Sequence, residues 1–154
     1  MKLSTRVRYG CRAMVDLALH QTEGPISLQV LAQDQRIPER YLAKIVQDLR
    51  RNGLIRSVRG AHGGYLLSRP PARITLLDVW QALEGPFYPV ECLAAPATCS
   101  MVGDCVTREV WEGVRRALTG VLRAEDLAAL ARRYKDKSGK RTAARRDRSR
   151  GGAR

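Results

Sequence analysis

PERYLAKIVQDLRRNGLIRSVRGAHGGYLL, residues 38–67, carries two periodicities in immediate succession, and their order decides the fold. In the first half, Tyr41, Leu42, Ile45, Val46 and Leu49 recur at helical spacing and define an apolar face. The opposite face offers Arg40, Lys44, Gln47, Asp48, Arg50 and Arg51. Pro38 suits a first helical turn, where a missing amide donor costs nothing. Gly53 follows about Asn52 as a C-terminal stop. In the second half, Leu54–Val58 and Tyr65–Leu67 read as strands around the glycine-rich turn Arg59–Gly64. A helix with a basic outer face therefore runs directly into a β-hairpin.

Upstream, Ser27 can cap a short helix through Leu28, Leu31 and Ala32, which makes a helix-turn-helix with the helix at 38–52. A hairpin immediately after such a pair defines a winged helix. Farther upstream, Val7, Cys11, Met14 and Ala18 form the stripe of a helix over 5–20, broken at Glu23-Gly24-Pro25. Cys11, inside that stripe, reads as a small buried apolar residue. Downstream, a helix is expected over 74–84, with Leu76, Leu77, Val79, Trp80 and Leu83, and an irregular segment over 86–105. A longer helix over 106–122 carries Val106, Val110, Val114, Leu118 (or Ala117) and Val121, flanked by Trp111. That stripe is either packed on the body or shared with a second subunit. A short last helix can use Ala124 to Tyr134, and 135–154 lack any apolar face and are expected to be disordered. The fold class is mainly α with a small β-wing. Its units are a winged-helix body at 1–85, a cysteine loop at 86–105, helices at 106–134 and a basic tail at 135–154.

Charge points the same way. The net charge of +13 comes from 28 Lys and Arg against 15 Asp and Glu. Residues 135–154 contribute nine basic and two acidic residues, so the remainder still carries +6. A body this basic suits a polyanion, nucleic acid being the commonest. Arg40, Lys44 and Gln47 have the donors to read base edges in a major groove, while Arg50 and Arg51, near the helix end, suit phosphate. Arg59, beside glycines at the wing tip, can enter a minor groove; His62 can touch phosphate or face solvent. No paired carboxylates, nucleophile–base constellation or phosphate loop argues for an enzyme. No apolar run is long enough to span a bilayer, and the start MKLSTRVRYG lacks a signal peptide's apolar stretch. The expected location is therefore the cytoplasm, where cysteines are metal ligands or free thiols before they are disulfides.

Three cysteines stand at Cys-x6-Cys-x5-Cys spacing in ECLAAPATCSMVGDC, residues 91–105. Thiolates on a loop of small residues can converge on an iron–sulfur cluster, zinc or copper(I). Zinc sites usually show closer pairs and a nearby fourth ligand, and neither is present. The competing reading is three thiols that oxidise or do nothing.

RVRYGCRAMVDLAL at 6–19, the RGxxGGYLL wing at 59–67 and CVTREVWEGVRRALTG at 105–120 resemble the iron–sulfur winged-helix repressors, the family of IscR and NsrR. The resemblance covers about residues 1–123. It implies a homodimer on a double-stranded DNA operator, with the helix near 106–122 crossing to its twin as a dimerisation helix. It implies a 2Fe-2S or 4Fe-4S cluster on Cys92, Cys99 and Cys105, serving as a redox, nitric-oxide or iron–sulfur sensor, and it assigns Arg59 to the minor groove. Two positions depart from the pattern of the fourth ligand: Arg108 stands where some members have a His, and Arg8 where others have a carboxylate. Glu91, Asp104, a backbone group, water or a small thiol are the remaining options for that ligand. Arginines near a thiolate cage tend to raise its potential. Ala43 replaces a Glu that tunes site choice in IscR-type members, so the operator is not theirs by inheritance. The alternative is a cluster-free regulator, thiol-switched or constitutive.

Overall fold

The computed structural model describes residues 3–138. Six helices and one hairpin follow the order α1 (Thr5–Leu19), α2 (Leu28–Gln35), α3 (Glu39–Arg51), β1 (Ile55–Val58), β2 (Gly64–Leu67), α4 (Leu76–Glu84), α5 (Glu91–Ala94) and α6 (Val106–Ala124). A further helical stretch occupies 127–138.

Local chemistry sets most boundaries. The Ser4 and Ser27 hydroxyls accept the amides of Val7 and Val30 at the starts of α1 and α2. Thr75 and Asp78 form a reciprocal capping box on α4. At the end of α3, Gly53 takes φ +70 and the amide of Leu54 reaches the carbonyl of Leu49 at 3.0 Å. This left-handed stop turns the chain sharply from the helix into β1.

The core lies where α1, α2, α3 and α4 meet. Met14, Leu31, Leu42, Ile45, Leu49, Ile55 and Ile74 are fully buried there. Leu127, also fully buried, anchors the C-terminal stretch to this body. Thr75 and Asp126 form an antiparallel bridge beside it. Cys11 is half-buried among these helices, and burial pushes its thiol up to about 11.

Three details differ from the expectation. The segment 86–105, expected to be irregular, contains α5 and a 3-10 turn over Pro96–Thr98. Tyr41, expected on the buried face of α3, is 37% exposed and meets the Tyr9 ring edge-on at 6.0 Å. Its position at the edge of the stripe leaves the hydroxyl in water, as a phenol prefers. The last helical stretch passes Tyr134 and continues through 138. Lys135, Asp136 and Lys137 extend a helix whose nucleation Leu127 and Ala131 have already secured. The rest of the expected disordered tail, 139–154, lies outside the described residues.

Candidate nucleic-acid interface and cysteine segment

α3 buries Leu42, Ile45, Val46 and Leu49, and this fixes which side chains point outward. Arg40, Lys44, Gln47, Arg50 and Arg51 are all exposed. Lys44, Gln47 and Arg50 line a hollow of about 330 Å³ together with Ala43 and Tyr65 of the wing. One end of the helix-turn-helix thus presents donors from helix and hairpin to a single concavity. Arg40 and Arg51 are exposed on the same helix but do not line that concavity. Arg51 also reaches Asp48 Oδ1 at 3.4 Å.

Asp48 departs from the basic face. Its side chain is only 22% exposed, and Arg6 of α1 donates to its other oxygen. One turn on, the Asn52 amide donates to the carbonyls of Asp48 at 2.9 Å and Ala82 at 3.0 Å. The C-terminal half of α3 is therefore tied to α1 and α4 by polar contacts. Sequence reading grouped Asp48 with the outward residues, because periodicity gives the face but not the partner.

The wing pairs Ile55 with Leu67, Arg56 with Leu66, Ser57 with Tyr65 and Val58 with Gly64, antiparallel. Ile26, just before α2, adds a third rung: the Tyr65 N–H donates to the Ile26 carbonyl at 2.8 Å, and the Tyr65 carbonyl accepts the Ile26 N–H at 3.1 Å. Sequence alone gave no sign of that rung except Gly64. A Cβ there would lie 2.3 Å from the Ile26 oxygen, so glycine permits the close approach. Arg59 and His62 are exposed in the turn.

Cys92 lies in α5, Cys99 closes the 3-10 turn and Cys105 immediately precedes α6. All are half-buried free thiols. The donor set, three thiols on one segment in contact with α6, has the chemistry of a soft-metal or cluster site. Among the described residues, however, no three His, Cys, Asp or Glu side chains are gathered as a metal-holding group. Glu91 and Asp104, the carboxylate options for a fourth ligand, are exposed. Cys105 Sγ lies 3.3 Å from Thr107 Oγ1; that hydrogen bond, then the Arg108 amide, holds the thiol below its ordinary value. The Nε of Arg108 is buried and, among the described residues, has no hydrogen-bond partner. Arg8 is exposed and contacts Thr5 Oγ1 at 3.4 Å.

α6 itself contains no buried residue. Leu118 and Leu122 rest against the core, while Val106, Val110, Trp111, Val114 and Val121 stay exposed. The apolar stripe read from the sequence thus divides between the body and solvent.

The family model of Rrf2, described as an iron-dependent transcriptional regulator, matches residues 3–133. Protein rrf2 of Nitratidesulfovibrio vulgaris is 42% identical over 132 residues, covering 86% of this chain and 88% of that one. The transcriptional regulator CymR of Bacillus subtilis is 42% identical over 131 residues, covering 85% and 90%. The solved structure of CymR, the global cysteine regulator of B. subtilis, superposes with a TM-score of 0.71 over 85% of this chain and 96% of that one. That of T. potens IscR gives 0.74 at 37% identity, over 89% and 90%. These proteins are regulators of transcription, not enzymes, and they share the mainly helical architecture with its small wing.

Proposed function

The chain belongs to the Rrf2 family of winged-helix transcription regulators, and on that premise we propose a homodimeric, operator-specific repressor whose DNA affinity is set by its cysteine segment. The observation that carries this reading is the place of Cys105. It directly precedes α6, so the cysteine segment and the exposed apolar stripe share one junction. Val106, Val110, Val114 and Val121 are the surface a second copy would cover. Lys44, Gln47, Arg50 and Arg59 are the residues that would meet DNA, and Arg40 and Arg51 flank them.

Cys92, Cys99 and Cys105 are the residues that would hold an iron–sulfur cluster, 2Fe-2S or 4Fe-4S. When bound, such a group supplies one-electron chemistry and reactivity toward oxygen or nitric oxide. The chain's own residues supply the rest. The segment 91–105 sets the direction in which α6 leaves the body, and α6 sets the spacing of the two copies of α3. Half-sites on DNA lie about one helical turn apart, so a change of spacing loses contacts on one side. Whichever state of the segment fits the productive spacing shifts the population toward it.

One observation favours a second reading: the three thiols are not gathered in the described subunit. A thiol switch in the reducing cytoplasm needs no such gathering, and CymR is named a cysteine regulator. Anaerobic purification with iron and sulfide analysis separates the two readings. A brown protein with iron and sulfide supports the cluster, and a colourless, metal-free protein supports the switch. Operator affinity of the loaded protein against Cys92→Ala then tests control itself; equal affinities would leave a constitutive binder.

A further inference from the structure

On the body, the C-terminal stretch 127–138 leaves a cavity of about 410 Å³ against α1, the end of α2 and the start of α4. This is the size of a site for a small organic molecule. Its wall is apolar, made by Val15 and Leu19 of α1, Leu76 of α4 and Leu130. Cys11 completes the wall.

Two opposite charges also line the cavity, Arg12 of α1 and Asp34 of α2. Among the described residues, neither is ion-paired with the other or with any other side chain. The Arg12 guanidinium is held by neutral groups only. It donates to the backbone carbonyl of Gln35 and, at 3.3 Å, to Gln35 Oε1, and it lies 5.5 Å from the Tyr9 ring centroid. A guanidinium in that setting retains an unmet preference for a carboxylate. Because Arg12 touches Gln35, the neighbour of Asp34, one small molecule can span both charges.

We propose that this cavity binds an α-amino acid with an apolar side chain. Arg12 takes its carboxylate, Asp34 its ammonium group, and Val15, Leu19, Leu76 and Leu130 its side chain. The site has a route to the DNA-reading helix. Gln35 is the last residue of α2, and Arg36 after it takes the left-handed conformation, φ 52, that turns the chain toward α3. Arg12 pins that turn through Gln35. A ligand carboxylate competes for the same guanidinium, so occupancy of the cavity is coupled to the seating of α3. The coupling is reciprocal: DNA changes ligand affinity by the factor by which ligand changes DNA affinity.

The test uses the full chain without DNA, by calorimetric titration and thermal denaturation, so its outcome is independent of any operator assay. The probes are L-leucine, 4-methylpentanoate, which lacks the ammonium group, and 3-methylbutylamine, which lacks the carboxylate. L-leucine is expected to bind saturably and raise Tm. Each truncated probe is expected to bind about tenfold more weakly or worse, the loss of one charge-assisted hydrogen bond. Arg12→Gln and Asp34→Asn should each weaken L-leucine binding similarly; Asp34→Asn leaves the Arg12–Gln35 contact in place, so it separates recognition from any change in the turn. No saturable binding of L-leucine overturns the proposal. So does undiminished binding by both variants, or binding of both truncated probes as tight as that of L-leucine.

Discussion

The winged-helix body and the cysteine segment are built on opposite physical terms. In the body, most expected apolar positions are buried, and the exposed face of α3 is the remainder after packing. From Glu91 to Ala124, by contrast, no residue is buried, and large apolar side chains stand in solvent. The body has a fold that one subunit completes alone. The segment and α6 present half-buried thiols on one part and exposed valines on the other. A structural role in the first region therefore shows as a loss of stability, and a role in the second as a loss of assembly or response.

The largest expected effect breaks this contrast most directly. Leu49→Ala removes a fully buried side chain between α3 and its neighbours and should cost about 2–5 kcal/mol. Replacing Cys92, Cys99 and Cys105 together by Ala should leave Tm of the metal-free protein within a few degrees of the original. Thermal denaturation of both variants checks this. A triple variant as destabilised as Leu49→Ala would mean the segment is part of the core after all.

Next come the proposed DNA contacts. Lys44→Ala and Gln47→Ala each remove a donor from the concavity shared with Tyr65 and should lose about 1–3 kcal/mol of operator affinity, with relaxed sequence preference. Arg51→Ala should lose less, since that side chain does not line the concavity and leans on Asp48. Titration of selected operator DNA at fixed salt ranks the three. Equal loss for all would make the helix face a uniform phosphate contact.

A smaller effect is expected at Asp48, on the same helix as the proposed DNA contacts. Asp48→Ala frees Arg6 and Arg51 while leaving Asn52 to hold the helix end. The side chains are partly exposed, so the stability change should be no more than about 1 kcal/mol. Added net positive charge should raise non-specific DNA affinity even as specific affinity falls. A ratio of specific to non-specific binding that does not move would sink the view that Asp48 positions α3.

What the sequence made legible follows the same division. Helix order, the wing and the exposed basic face of α3 were evident because burial imposes a period of three to four residues on α1 and α3, and because Ser27 and Gly53 mark element ends chemically. The Ile26–Tyr65 rung, the Asp48 ties and the Thr75–Asp126 bridge join residues far apart in the chain, and no local pattern encodes them. α5 was hidden because its four residues, Glu91–Ala94, are too few to display a period. In the cysteine segment, spacing supplied the ligand candidates, but whether loop residues converge depends on what binds them.

The segment's own chemistry gives a prediction that needs no ligand. Cys105 is hydrogen-bonded to Thr107, and its thiol sits below the ordinary value. At neutral to mildly alkaline pH its reactive thiolate is therefore more populated than that of a free cysteine. Alkylation followed by peptide mass spectrometry should give a pH midpoint for Cys105 below that of a free cysteine in the same buffer. Thr107→Ala should move that midpoint upward; an unmoved midpoint would assign the shift to the backbone amides of Arg108 and Thr107 instead.

The smallest effect belongs to the body and is a matter of pH. His20, at the end of α1, lies 2.7 Å from Glu23 Oε2 and 3.6 Å from Asp16 Oδ1. Its hydrogen bond to Glu23, then the charges of Glu23, Asp16 and Asp34, raise its pKa against a smaller opposing effect of burial. A histidine whose folded value is raised binds its proton more tightly in the native state. Its contribution to stability is complete below the unfolded value near 6.5 and is lost as pH rises through the higher folded value. The ring is 38% exposed, so solvent screening keeps the contribution to no more than about 1 kcal/mol. His20→Gln should therefore flatten a shallow fall in stability on the alkaline side of pH 6.5. The cysteine triple variant should keep that fall intact, because the groups that produce it all sit on α1, α2 and the loop between them. Denaturant titrations of the two variants across that range are the check, and a fall that survives His20→Gln would place the titrating group elsewhere.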